Sequence, residues 1–263
     1  MTTIVSPALL RSRLETPFLK SLFNPNPKII HKRQTLIRNF SLISKMEESS
    51  VLANGGGSSS ANYVTTLSNG GDEDSHHVAH FALSPSSVLK IQKGDITEWI
   101  VDGSSDAIVN PANERMLGGG GADGAIHRAA GPELQAACYN VPEVRRGVRC
   151  PTGEARITPG FGLPASHVIH TVGPIYDVDS NPEASLTSAY RNSLRVAKEN
   201  NIQYIAFTAI SCGVYGYPYG EAATVAISSI REFANDFKEV HFVLFSDDIY
   251  NVWLNKTKEL LQN

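Results

Sequence analysis

Four consecutive glycines, Gly118-Gly119-Gly120-Gly121, separate a short apolar run, Asp106–Val109, from a helical stretch, Ala125–Ala130, which Gly131-Pro132 terminates. Glycines accept backbone angles closed to other residues and leave no side chain between peptide N–H groups and a ligand. A loop of this kind at a helix N-terminus is an anion site, above all for phosphate. Asp123 follows the glycines closely; the plain alternative to an anion site is a Gly-rich turn in which Asp123 is only a helix cap. No Gly-Lys-Ser/Thr closes the run, which excludes a Walker-type phosphate loop. The glycines are contiguous rather than spaced as G-x-G-x-x-G, so the dinucleotide fingerprint fits poorly.

A second loop of the same character follows the run Tyr204–Ala209: Ile210-Ser211-Cys212-Gly213-Val214-Tyr215-Gly216-Tyr217-Pro218. Two such loops at neighbouring strand ends suit a diphosphate; Tyr215 and Tyr217 read either as apolar walls for a sugar or as side chains packed beside the sheet. Gly94-Asp95-Ile96-Thr97 follows the first strand, where Asp95 either accepts from a purine amino group or caps the next helix. Tyr250 either stacks on a base or packs in the core. Cys212 has no partnered histidine to make it a nucleophile. His127, beside the glycine loop, reads as a buried structural histidine, and His170 reads as part of a strand core.

These groups need a scaffold that brings distant loops together. Strand-like runs occur at Val88–Ile91, Asp106–Val109, Ala155–Thr158, His167–Val172, Tyr204–Ala209 and Val240–Phe245. Helical patterns at Ala184–Glu199, Glu221–Phe237 and Ile249–Leu261 alternate with the later strands. Val/Ile-rich strands alternating with helices predict a mostly parallel sheet covered on both faces. Ligands of such sheets bind outside the carboxyl ends of the strands, which is where both glycine-rich loops fall.

Of the 263 residues, 41% are hydrophobic, enough for a sizeable core. No apolar run approaches the ~18 residues of a transmembrane helix. Cys138, Cys150 and Cys212 are odd in number and lack metal-ligand spacing, so neither a disulfide framework nor a structural zinc is expected. The net charge of −3 is uneven: residues 1–45 carry eight Lys/Arg against one acid, and residues 46–263 carry 15 against 25. So acidic a body is a poor general binder of nucleic acid. Any phosphate must be held mainly by backbone N–H groups.

The basic, hydroxyl-rich residues 1–45 have the composition of a plastid or mitochondrial transit peptide, with an unprocessed tail as the alternative. A start at Met46 would give a form without that segment, in the cytosol or nucleus. Residues 46–83 read as a disordered low-complexity linker, and 84–263 as one domain. His76, His77 and His80 read as solvated rather than metal-binding.

Gly94–Thr97, Asp106–Asn113, Gly118–Ala130, Thr152–Ala155, Val168–Pro174 and Ser211–Pro218 together resemble the macrodomain family, in particular the MacroD-type ADP-ribosyl hydrolases, which also act on O-acetyl-ADP-ribose. The resemblance runs over residues 86–263. It implies an α/β fold, a three-layer α/β/α macrodomain with a mostly parallel central sheet, holding ADP-ribose across the strand ends. Asp95 would bind the adenine amino group with Ile96 beside it, and Tyr250 lies near the place of the adenine-stacking aromatic. Gly118, Gly119, Gly120, Gly121 and Ala122, with Ser211, Cys212, Gly213, Val214, Tyr215 and Gly216, would hold the diphosphate and distal ribose. Asn110 joins the ligand-binding set. Asn113 would bind distal-ribose hydroxyls, and Asp123 is the residue most tied to catalysis.

Three positions depart from the family pattern: Pro111 for Ala, Ala122 for Val and Cys212 for Thr. The tandem acidic pair of poly(ADP-ribose) glycohydrolases does not follow these glycines, which disfavours cleavage between ADP-ribose units. The implied activity is removal of mono-ADP-ribose from acidic residues of proteins, deacetylation of O-acetyl-ADP-ribose, or both. The nucleophile would be a water held between a substrate phosphate and Asp123. The implied partners are ADP-ribose, O-acetyl-ADP-ribose and mono-ADP-ribosylated proteins, bound by a monomer with no cofactor, metal, membrane or sequence-specific nucleic acid. A non-cleaving ADP-ribose reader and an ADP-ribose 1″-phosphate phosphatase are the rival readings.

Overall fold

A computed structural model describes residues 78–262. The expected transit segment and residues 46–77 of the expected linker lie outside the described residues. The described elements are β1 (Val78–Ser84), β2 (Ser87–Lys93), a 3-10 turn (Ile96–Glu98), β3 (Asp106–Pro111), α1 (Gly121–Ala130), α2 (Pro132–Tyr139), β4 (Ala155–Pro159) and β5 (His167–Thr171). They continue with α3 (Pro182–Glu199), β6 (Tyr204–Phe207), α4 (Tyr219–Arg231), β7 (Glu239–Leu244) and α5 (Asp247–Leu261).

The strands form one sheet in the order β1-β2-β7-β6-β3-β5-β4. The five inner strands are mutually parallel. Each edge is closed by an antiparallel partner, β1 on β2 and β4 on β5. Side chains alternate between the faces, as a pleated strand requires. On β3, Ala107 and Val109 enter the core beneath α3, α4 and α5, while Ile108 enters the core beneath α1 and α2. On β6, Ile205 and Phe207 take the first face and Ala206 the second. Both faces are covered, so these strands read as unbroken apolar runs. The three-layer α/β/α arrangement is the one expected.

Three differences from expectation have local causes. Strand β1, Val78–Ser84, falls on residues expected to be linker. Within β1 only Phe81 is fully buried, so its sequence lacks the apolar density of the inner strands. Helix α1 starts at Gly121, not Ala125, because the last glycine of the loop opens its first turn. Gly131 and Pro132 do end a helix, but they also begin α2: Gly131, at φ 89°, caps both, and Pro132 takes the first position of the new helix.

Because β2, β7, β6, β3 and β5 run parallel, their exits all lie at the carboxyl end of the sheet. The glycine loop leaves β3 and the second loop leaves β6, and these strands are direct neighbours.

Candidate functional site

The first turn of α1 is Gly121, Ala122 and Asp123, and its cap residue Gly120 offers no side-chain hydrogen bond. The leading N–H groups of a helix have no partner within it. Asp123 is therefore not the cap: it lies inside the first turn, only 4% exposed. Gly118, at φ +82°, lies over the His127 ring. A Cβ on Gly124 would collide with the Gly119 carbonyl oxygen, so only glycine lets the helix come this close to its own loop. Asn113 shapes the loop from within. Its Nδ2 donates to the Gly118 carbonyl at 3.0 Å and its Oδ1 accepts from the Arg115 amide at 3.1 Å.

Asn113 and Asp123 meet at one point. A Cβ built on Gly119 would lie 3.0 Å from Asp123 Oδ2 and 3.2 Å from Asn113 Nδ2. Asn110 Nδ2 donates to the other carboxylate oxygen, Oδ1, at 2.8 Å. His127 Nε2 stands 3.5 Å from that same Oδ1. Asp123 Oδ2 has no hydrogen-bond partner among the described residues. Burial pushes the Asp123 pKa upward, opposed by the Asn110 hydrogen bond and by His127. One carboxylate oxygen is thus anchored, and the other is held unpartnered beside the glycine loop.

Ser211 opens the second loop at φ 65°, an uncommon angle for a serine. Its carbonyl accepts from the Tyr217 amide at 3.0 Å, and Tyr215's carbonyl accepts from the Tyr176 amide at 2.9 Å. Among the described residues, the amides of Gly213, Val214 and Tyr215 donate to no other backbone carbonyl. Burial raises the Tyr215 phenol pKa, helped by the charges of Asp123 and Glu114. Cys212 is 5% exposed, and burial alone pushes its thiol up to about 12. A protonated thiol of that kind is no nucleophile. Tyr217 is not a wall of the cleft. It is buried edge-on against Tyr176, with ring centroids 4.8 Å apart.

At the β2 end, Asp95 Oδ1 accepts from the Thr97 amide at 2.9 Å and the Thr97 hydroxyl at 2.8 Å. Asp95 does cap the 3-10 turn, yet it is exposed and both bonds use one oxygen. Ile96 is buried beneath it. Tyr250, for which core packing is one of the two readings, is buried in the core cluster that holds Trp253. The exposed aromatic here is Phe245, 81% accessible at the exit of β7. Lys93 pairs with Leu244 and the Gly94 amide donates to the Leu244 carbonyl, so Asp95 and Phe245 leave the sheet side by side. In the sequence Phe245 looks like the last apolar residue of a strand; only its exposure sets it apart.

The fold also gathers His127, Cys138 and His170, whose ligand-type atoms lie within 4.8 Å of one another. No sequence spacing indicates that cluster.

The Macro domain family model matches residues 109–226. A macro domain-containing protein of Vibrio parahaemolyticus is 52% identical over 167 residues, covering 64% of this chain and 95% of that protein. A Klebsiella pneumoniae protein named O-acetyl-ADP-ribose deacetylase is 50% identical over 165 residues, covering 62% of this chain and 89% of that protein. Among solved structures, the Oceanobacillus iheyensis macrodomain with ADP superposes at a TM-score of 0.66 and 42% identity, covering 71% of this chain and 98% of the other. A Trypanosoma brucei macrodomain in complex with ADP-ribose gives a TM-score of 0.56 and 36% identity, covering 67% and 73%. With the fold, the two loops and these relatives in agreement, the chain belongs to the macro domain family.

Proposed function

We propose that this protein binds ADP-ribose in the cleft between its two loops and hydrolyses an ester at the distal ribose. The substrate would be mono-ADP-ribose on a protein carboxylate, O-acetyl-ADP-ribose, or both. The observation that carries this reading is the convergence of Asn113 Nδ2 and the unpartnered Asp123 Oδ2 at Gly119, beside turns whose amides donate to no backbone carbonyl among the described residues.

In this reading the amides of both loops hold the diphosphate without basic side chains. Asp95 Oδ2 accepts from the adenine amino group, and Phe245 lies against the ring. Asn113 donates to a distal-ribose hydroxyl. Asp123 Oδ2 orients a water, or takes its proton, as that water attacks the ester. Its upward-shifted pKa makes it a better base than an exposed aspartate while the Asn110 bond keeps it usable in the ionised form. The N–H groups of the second loop hold developing negative charge as the ester breaks. The relative named O-acetyl-ADP-ribose deacetylase supports the same chemistry.

The purified chain incubated separately with mono-ADP-ribosylated protein, O-acetyl-ADP-ribose and ADP-ribose 1″-phosphate tests this. Release of ADP-ribose from either ester is the expected result. Tight binding without turnover would make it a reader, and turnover of the 1″-phosphate alone would make it a phosphatase.

A further inference from the structure

Beneath the cleft, four buried side chains from β3, β4, β5 and α1 form one polar chain. Asn110 Nδ2 lies 2.8 Å from Asp123 Oδ1 and 3.1 Å from His170 Nδ1. His170 Nε2 lies 3.0 Å from Thr158 Oγ1, with Cys138 Sγ 3.7 Å away. Asn110 and His170 are completely inaccessible, and Asp123 and Thr158 nearly so.

The chemistry of each group fixes the direction of every bond. A carboxylate accepts only, so the Asn110 atom beside Asp123 must be its NH2 group. That NH2 group donates only, so His170 Nδ1 must present a lone pair. The ring proton then sits on Nε2, where it meets the Thr158 hydroxyl. Both histidine nitrogens are engaged, and this accounts for the cluster with His127 and Cys138 without an ion. Burial, with His127 nearby, keeps the ring neutral by lowering its pKa to about 3. The arrangement has a consequence at the other end of the amide. Asn110 Oδ1 is turned away from the carboxylate and has no partner among the described residues.

We propose that His170 is a positioning residue: its bare Nδ1 sets the Asn110 amide, and Asn110 in turn holds the Asp123 carboxylate with Oδ2 toward Gly119. Its kinetic part rests on the hydrolase reading above; its structural part does not. Without this acceptor the Asn110 amide is free to rotate. The carboxylate then loses its anchored oxygen and its alignment, while the two anion-binding turns stay intact.

Two measurements on the full chain test this. Long-range 1H–15N correlation on the wild-type protein near neutral pH is expected to show His170 protonated at Nε2 and bare at Nδ1. A proton on Nδ1 would overturn the proposal. In kinetics, His170→Leu is expected to lower kcat roughly 10²-fold, as small misalignments of reacting groups do, with KM and calorimetric ADP-ribose affinity near wild type. His170→Asn, whose side-chain oxygen accepts at the place of Nδ1, is expected to recover most of the loss. A folded His170→Leu with unchanged kcat, or His170→Asn as slow as His170→Leu, would also overturn it. If His170→Leu fails to fold, the wild-type tautomer decides. If the wild type hydrolyses neither ester, the hydrolase reading falls, and the tautomer still judges the role of His170.

Discussion

Gly173 packs so closely on Ser211 that a methyl group added to it would collide with the Ser211 hydroxyl oxygen and lie 2.6 Å from Ile210 Cγ2. The exit of β5 thus braces the start of the second loop, where Ser211 holds its positive φ. Gly173→Ala must push Ile210 and Ser211 away, which overpacking of this kind makes worth about 1–3 kcal/mol. A lower thermal midpoint is expected, together with weaker ADP-ribose binding by calorimetry, because the displaced segment carries the free amides of Gly213 and Val214.

Removing the carboxylate separates binding from chemistry. Asp123→Ala is expected to retain ADP-ribose affinity while hydrolysis falls about 10²–10⁴-fold, the usual contribution of a positioned base. Gly119→Ala should show a milder version of the same split. Its methyl enters the point shared by Asp123 Oδ2 and Asn113 Nδ2, and those side chains must yield by a few tenths of an ångström. Unchanged turnover in Asp123→Ala would remove this residue from the mechanism.

The adenine end distinguishes two aromatic residues. Phe245→Ala is expected to cost about 1–3 kcal/mol of nucleotide binding, the range for stacking a base on an aromatic ring. Tyr250→Leu, which removes the ring, should bind nearly as wild type, since Tyr250 is buried in the core with Trp253. The reverse pattern in calorimetric titrations would return the stacking role to Tyr250.

All three thiols are buried, and burial is the first cause raising Cys138, Cys150 and Cys212 to about 12. Iodoacetamide should therefore label the native protein far more slowly than the urea-unfolded chain, and leave hydrolysis unaffected. Rapid inactivation protected by ADP-ribose would revive Cys212 as a participant.

His170 makes stability depend on acid. Its ordinary pKa of 6.5 falls to about 3 in the folded state, first through burial and then through His127. The unfolded chain takes up a proton as pH falls below 6.5, and the folded chain does not until about 3. The stability associated with the neutral ring is complete above that window and is lost across it. Glu239 acts lower: burial would raise it, but hydrogen bonds from His241 and Lys90 prevail and bring it from 4.5 to about 2. Its stabilisation is present above 4.5 and disappears as pH falls toward 2. Urea midpoints followed with pH should fall less steeply between 6.5 and 3 in His170→Asn than in wild type.

Much of the architecture was readable in the residues alone. Unbroken Val/Ile runs alternating with helical patterns imply a sheet buried on both faces, because no strand with an exposed face can be apolar throughout. The two glycine-containing turns were equally readable. Free N–H groups and positive φ are local properties, and contiguous glycines next to a helix start declare them. β1 carries no such signal for the converse reason, since only Phe81 among its residues is fully buried.

What the linear order left open depends on register and helix phase. Tyr217 and Tyr250 are as aromatic as Tyr215 and Phe245, but the turn of a loop or a helix buries the former pair and leaves Phe245 exposed and Tyr215 partly so. The partnership of His170 with Asn110 crosses from one strand to its neighbour through 60 residues of chain. Nothing in local spacing encodes such a contact, because it exists only once parallel pairing has set Asn110 opposite His170.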